Sequence, residues 1–391
     1  MRLTFVTSCL EPGRDGVGDY TRLLAQECSW QGHPCCLIAL NDPFVREPLR
    51  GCESTLPVLR LPAGMDWRQR SVEVRRFLDA FEPDWLSFQF VPYSYNSRGI
   101  VFGLARQLQP LVDGRRLHLM LHELWLAQHR SANLKERLIG SIQRLYLLAL
   151  VEELKPTVTH TSNPAYLASL IQSGVSAGCL PIFGNIPIVK TNETWLFTEL
   201  HTHGLHIDKS KREGFWLFGL FGSLHPAWPP EPLFSRLYEG ANQSGKKIVI
   251  LSIGRLGYGE GLWKELVNRY GSRFTFVRLG EQSPERISEF FHSIDFGIAT
   301  PPYQLLGKSA TVVAMLEHGL PVIVNRDDIH VSACRDTNLY SEELLYKMDN
   351  DLPGYLARGG HRSPARSRLP EIAGQLLAEL QAVSPVPVPT R

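Results

Sequence analysis

Short apolar runs alternate with amphipathic stretches along most of this chain, and that alternation limits the possible folds more than any single motif. A parallel strand buried on both faces reads as a continuous apolar run, and it needs a helical crossover before the next strand can pair with it. In the first half, Leu3–Thr7, Cys35–Leu40, Trp85–Phe90, Leu117–Leu121, Val158–Thr161 and Cys179–Phe183 read as strands. Asp19 is a candidate cap for a helix that ends at Gly32, and Asn163-Pro164 starts another, because Asx side chains accept from the orphan amides of a first turn and proline suits that turn. The alternation then begins afresh with strands at Phe215–Phe221, Lys247–Ser252, Phe274–Arg278, Phe296–Ala299 and Pro321–Val324. Helices are expected near Pro232–Ala241, Gly261–Arg269, Pro284–His292 and Ala310–His318. Two consecutive doubly wound, Rossmann-like α/β domains facing each other across a cleft are the economical reading. Their expected limits are 1–185 and 213–365, with a connector over 186–212 and a final helix with a Pro-rich tail over 366–391.

Composition agrees with this reading and excludes several others. The 391 residues suit two domains with sizeable cores, and 43% hydrophobic and 20% charged residues are ordinary globular usage. Forty-one basic against 39 acidic residues give a net charge of +2, so no electrostatic grip on nucleic acid is indicated. The seven cysteines form no CxxC pair and read as buried free thiols in a reduced compartment, and no apolar run is long enough to span a membrane. A cytoplasmic protein is expected, with membrane contact at most peripheral. The segment Ser141 to Leu154 carries Gln143 and Arg144 and suits a packed helix.

Three loops fall at strand C-terminal ends, where open α/β sheets bind ligands. Pro12-Gly13-Arg14-Asp15-Gly16-Val17-Gly18-Asp19-Tyr20 follows the first strand and opens a helix, so backbone can approach a bulky ligand there. Its spacing is not GxGxxG, and an acidic residue ending the second strand is not evident. His122 and Glu123 end the fourth strand, as an ionisable pair able to hydrogen-bond a polar substrate. With Leu126 in place of a second histidine, HExxH is absent. The third loop, from Pro301 to Thr311, offers Gly307, Lys308, a capping Ser309 and the amides of Ser309, Ala310 and Thr311 as a phosphate cradle. Pro302 stands where a Walker A loop requires glycine, and the competing reading is a capped helix with a solvated lysine. His201, His203 and His206 read as part of the connector rather than a metal set, and no metal is expected. No GxSxG elbow is present for a serine nucleophile.

Several pieces recur in a fixed order: Gly16-Val17-Gly18-Asp19-Tyr20-Thr21-Arg22, His122, Phe218-Gly219-Leu220-Phe221-Gly222, and Leu279-Gly280-Glu281. They are followed by Asp295-Phe296-Gly297-Ile298-Ala299-Thr300-Pro301 and Leu316-Glu317-His318-Gly319-Leu320-Pro321-Val322. This set, spread over about residues 3–325, resembles the retaining glycosyltransferases of the GT-B fold, the large group of family 4 type. The resemblance implies transfer of a sugar from a nucleotide-diphosphate sugar to a sugar, lipid-linked or small-molecule acceptor, without a metal or a cofactor other than that donor. It places Gly16 and Gly18 at the diphosphate or the acceptor and His122 at the donor sugar, while Val17, Asp19 and Glu123 are substrate-binding candidates from their positions in the first two loops. Gly280 and Glu281 would border the nucleobase, Gly222 would lie in the donor site, and Ser309, Ala310 and Thr311 would meet the phosphates.

The chain departs from that family at two places. The paired glutamates expected before the last helix fall on Leu306 and Ala314, and the Arg and Lys expected after the second domain's first strand fall within Ser223-Leu224-His225-Pro226-Ala227-Trp228. Lys308 and Arg255 are the candidate replacement cations, and Glu317 lies one turn beyond Ala314. Stabilising the departing diphosphate is the step assigned to this site. The alternatives are a non-catalytic GT-B module that binds nucleotide or glycan, and a sugar-nucleotide epimerase.

Overall fold

The computed structural model describes residues 1–127, 132–190, 194–207, 211–328 and 344–383. The chain forms two compact units, one from Met1–Ile182 with the C-terminal stretch from Leu369, the other from the described residues between Phe183 and Arg368.

The first unit opens with β1 (Leu3–Thr7), α1 (Gly16–Trp30), β2 (Cys35–Asp42), β3 (Leu49–Glu53), β4 (Leu56–Pro62) and α2 (Trp67–Phe81). It continues with β5 (Trp85–Phe90), α3 (Leu104–Val112), β6 (Arg116–Leu121), α4 (Leu134–Leu154), β7 (Val158–Thr161), α5 (Pro164–Gln172) and β8 (Gly178–Cys179). Its sheet runs β3-β4-β2-β1-β5-β6-β7-β8, parallel except for the β3–β4 hairpin. The strand order reverses between β1 and β5, so the loops after those strands flank a switch point.

The second unit contains α6 (Thr194–Thr202), β9 (Phe215–Phe221), α7 (Leu233–Ser244), β10 (Lys247–Ile253), α8 (Glu260–Tyr270) and β11 (Thr275–Gly280). Then come α9 (Pro284–Ser293), β12 (Phe296–Ala299), α10 (Ala310–Glu317), β13 (Val322–Val324), β14 (Leu345–Lys347) and α11 (Leu352–Ala357). All six strands are parallel in the order β11-β10-β9-β12-β13-β14, with the switch point between β9 and β12. One face packs Leu217, Val249 and Leu251 against Phe290, Phe291 and Met315, and the other packs Phe218, Ile250 and Phe296 against Phe234 and Leu237. Gly219 lies where α9 comes closest, since a Cβ there would sit 2.4 Å from Ile294 Cδ1. The last helix, α12 (Leu369–Ala382), packs on α1 in the first unit, where Gln31 Nε2 donates to the Pro370 carbonyl at 3.0 Å.

Several local expectations need correction. α1 starts at Gly16 and is capped by Asp15, which accepts from Gly18 N at 2.7 Å, whereas Asp19 lies inside the first turn and accepts from Gly13 N. Of the run Cys179–Phe183, only Cys179 pairs in the sheet, although Leu180, Ile182 and Phe183 are buried. The residues 186–212, expected as a connector, include α6, which packs on α9. The β3–β4 hairpin shows no alternating pattern in sequence, because β3 is exposed at the sheet edge and Pro57 and Pro62 interrupt β4. α4 is the packed helix expected around Ser141–Leu154, extended back to an Asn133/Glu136 capping box.

Candidate functional site

In the second unit, the loops after β9, β10 and β11 are tied side by side, and the one after β9 meets the N-terminus of α10. Gly222 adopts φ +74 directly after β9, and a Cβ there would lie 3.0 Å from Thr311 Cγ2. Gly222 N donates to the Ile253 carbonyl at 2.9 Å and Gly254 N donates to the Gly280 carbonyl at 2.7 Å, so the three strand ends are tied in series. Side chains are excluded at Gly257 and Gly259 too, where a Cβ would lie 2.7 Å from Ser223 Oγ and 2.3 Å from Leu224 Cβ. Gly222, Gly280 and Thr311 therefore share one edge. Arg255 and Glu281 also lie there, as an ion pair of 3.3 Å.

Gly307 is buried in the turn that leads to Lys308. Ser309 occupies the N-cap position of α10 with extended backbone, but its hydroxyl bonds Thr311 Oγ1 at 2.9 Å instead of capping an amide, a correction to the sequence expectation. In an α-helix the first-turn amides have no acceptor within the helix, so Ala310 and Thr311 present N–H groups at the positive end of the dipole.

The guanidinium that sequence reasoning missed is Arg326, two residues beyond β13. It is 8% exposed, forms a two-pronged pair with Asp328 (2.9 and 2.8 Å), and donates from Nη1 to His225 Nδ1 at 2.9 Å. Ala227 N donates to the same Nδ1 at 3.1 Å, so Nδ1 carries a lone pair and the proton of this neutral imidazole is on Nε2. Burial, then the Arg326 charge and to a smaller extent Lys308, push the His225 pKa below its ordinary value against the opposing charge of Asp328. Two cations thus act on one residue at the C-terminal end of this sheet, beside the switch-point residue Thr300, whose Oγ1 accepts from His225 N at 3.4 Å. The signal in sequence was a lone arginine at a strand end.

Glu317, a candidate for the nucleotide-sugar site one turn beyond Ala314, faces inward. It is 5% exposed and accepts from Arg368 N at 3.2 Å, and burial raises its pKa to about 7. Leu306 is a core residue, and Ala314 packs so closely on Gly184 that a Cβ on that glycine would lie 2.7 Å from Ala314 Cα. At the opposite, N-terminal edge of the sheet lies a cavity of about 1010 Å³ lined by Arg212, Lys246 and Arg362, away from all of these residues. Two of its cations are engaged: Arg212 pairs with Asp295 at 2.8 Å, and Arg362 donates to the carbonyls of Phe291 and Ile294.

In the first unit, the loop after β1 is built for close backbone approach. A Cβ on Gly18 would lie 2.4 Å from the Cys9 carbonyl, whereas Gly16 has open space; Val17 is half-buried between them. Asp19 holds Gly13 N at 3.0 Å and lies 3.4 Å from Arg22. An acidic residue does end the second strand, contrary to the sequence reading. It is Asp42, fully buried and occupied by Arg60 Nε at 2.8 Å and by the amides of Leu10 and Phe44. Burial opposes its charge, but these donors outweigh it and hold the carboxyl below its usual range.

His122 is 7% exposed, contacts the Tyr20 ring edge-on at a centroid distance of 5.0 Å, and has Nε2 2.9 Å from Gln89 Oε1. Burial lowers its pKa to about 3, so it is neutral at physiological pH and does not act as the titrating group expected from sequence. Glu123, next to it, is half-buried. His201 and His206 stack edge-on at 4.1 Å, and no cluster of three metal-ligating residues occurs among the described residues. Among those residues, no helix is long and apolar enough to cross a membrane.

No protein-family model and no curated protein matches the sequence. Solved structures do. HepE from Anabaena, determined with UDP and glucose, superposes with a TM-score of 0.58 at 15% identity, covering 98% of this chain and 100% of that one. Sucrose-phosphate synthase from Thermosynechococcus elongatus gives 0.57 at 13% identity, covering 98% and 100%. A glycosyltransferase from Rickettsia africae gives 0.55 at 10% identity, covering 91% and 86%. Two parallel-sheet α/β domains in this order, shared along nearly the whole chain with these enzymes, make the fold GT-B.

Proposed function

We propose that this protein is a glycosyltransferase that binds a nucleoside-diphosphate sugar through its second domain and an acceptor through its first, transferring the sugar with retention as enzymes of family 4 type do. The observation that carries the reading is that Arg326 and Lys308, the residue just before the α10 N-cap, both act on His225 beside Thr300 at the β9/β12 switch point. Breaking the glycosidic bond leaves growing negative charge on the diphosphate. Fixed cations and helix-end amides meet that charge without reorganising, and no metal ligand set is required. Gly222, Gly280, Ser309, Ala310 and Thr311 would line the nucleotide-sugar site, with Arg255 and Glu281 at its rim. In the first domain, Gly16, Val17, Gly18, Asp19 and Glu123 would face the acceptor, and His122 would bond the transferred sugar. The solved structure of HepE with UDP and glucose supports a uridine nucleotide as the first donor to test.

The experiment is a melting-temperature panel with UDP, GDP and ADP, followed by turnover of the matching nucleotide sugar. A ligand at about a hundredfold its Kd stabilises the native state by about 2.7 kcal/mol. Arg326→Gln and Lys308→Ala should each weaken diphosphate binding by about tenfold to a hundredfold, the range for a hydrogen bond to a charged group. Wild-type donor affinity and turnover in both variants would remove the assignment.

A second reading, a non-catalytic module that binds nucleotide or glycan, is favoured by one observation. The positions of the two family glutamates are held by core Leu306 and by Ala314 packed on Gly184. Nucleotide stabilisation without turnover would select it.

A further inference from the structure

Five buried polar side chains in the first unit form a continuous line from His122 to the last helix. His122 Nε2 is 2.9 Å from Gln89 Oε1, Gln89 Nε2 is 2.8 Å from Ser87 Oγ, and Ser87 Oγ is 2.8 Å from His118 Nδ1. His118 Nε2 is 3.1 Å from His160 Nδ1, and His160 Nε2 is 2.5 Å from Glu379 Oε2 on α12. Ser87, Gln89, His118, His122 and His160 are all buried, whereas the Glu379 side chain is 40% exposed. The end of the line is shaped for its occupants: a Cβ on Gly178 would lie 2.8 Å from the His160 ring.

The carboxylate can only accept, and that fixes every proton in turn. His160 must donate from Nε2, which leaves its Nδ1 to accept from His118 Nε2–H. His118 Nδ1 then accepts the Ser87 hydroxyl proton, Ser87 Oγ accepts from the Gln89 amide, and Gln89 Oε1 accepts from His122 Nε2–H. All five donors point towards Glu379. We infer that Glu379 is a positioning residue that holds His122 in its Nε2–H tautomer, leaving Nδ1 as a pure acceptor suited to a substrate hydroxyl and unsuited to a phosphate oxygen. The functional meaning of that acceptor rests on the transferase reading, but the tautomer assignment does not.

The test is long-range proton–nitrogen correlation NMR of the imidazoles in the full-length, ligand-free chain, with His122→Gln used to assign the His122 signals. Gln375 Nε2 already donates to Glu379 Oε1 at 2.8 Å, so in Glu379→Gln the new NH₂ faces His160 and the whole line reverses. Ser87→Ala cuts the line in the middle, and Ser87→Thr restores its hydroxyl. In the wild type His122 is expected as Nε2–H. Glu379→Gln and Ser87→Ala should each shift its tautomer ratio towards Nδ1–H by about tenfold or more, as one buried hydrogen bond dictates, with backbone amide spectra still native. Ser87→Thr should return the ratio to the wild-type value. A wild-type His122 protonated on Nδ1, or one that keeps Nε2–H through both Glu379→Gln and Ser87→Ala, overturns the inference. Absence of transferase activity with the tautomer shifts observed would instead overturn only the functional reading.

Discussion

Replacing Glu317 with glutamine should stabilise the protein in mild base and weaken it in acid. Glu317 ends α10 almost fully buried, and burial raises its pKa from 4.5 to about 7, against the amides of Gly184 and Arg368 and the Arg368 charge, which pull it down. In the unfolded chain the carboxyl ionises near 4.5, but in the folded chain it holds its proton until about pH 7. Within that window the unfolded state binds fewer protons, so stability falls as pH rises, and above it the loss is complete. At about 1.4 kcal/mol for each tenfold, the cost is about 3 kcal/mol. Glutamine at 317 escapes that cost, because it never ionises. It keeps an oxygen for Arg368 N and gives up about 1 kcal/mol at the Gly184 amide. The variant should therefore be about 2 kcal/mol more stable than wild type near pH 8 and about 1 kcal/mol less stable near pH 4. Urea titrations at several pH values measure both, and comparison with wild type cancels every other titrating group. A stability difference that does not change with pH would refute the reasoning.

Gly18→Ala should cost about 2 kcal/mol, because its Cβ would press on the Cys9 carbonyl, while Gly16→Ala, two residues away in open space, should gain about 0.5 kcal/mol; denaturant midpoints separate them. Arg60→Met leaves Asp42 buried without its cation and should cost about 3 kcal/mol near neutrality. The Asp42 pKa is depressed, so its stabilisation is present above 3.8 and lost as pH falls through the folded value; variant and wild type should converge in acid. His118, His122, His160, His225 and His318 all have lowered pKa values, with His122 rebinding a proton only near 3 and His318 near 4. The unfolded chain protonates them below about 6.5, so stability should fall as pH drops from there, offset in part by Glu317; calorimetry near pH 5.5 should show net proton uptake on unfolding.

Sequence reasoning found what depends on continuous burial and missed what depends on strand order. β9 and β10 were legible because both faces of each are covered, so their apolar runs are unbroken. The Asp42–Arg60 pair was not, since it forms only when β4 returns beside β2. His122 was visible at a strand end, but its neutrality and its Gln89 partner come from β5 lying next to β6. Arg326 shows the same effect in the second unit. It lies far in sequence from the positions of the missing Arg and Lys, yet the β9-β12-β13 order places it against His225 across 101 residues of sequence. A cation therefore stands at this sheet edge two strands away from the loop after β9. The neutral His225 follows chiefly from its burial, with the Arg326 and Lys308 charges adding to the effect and Asp328 opposing it.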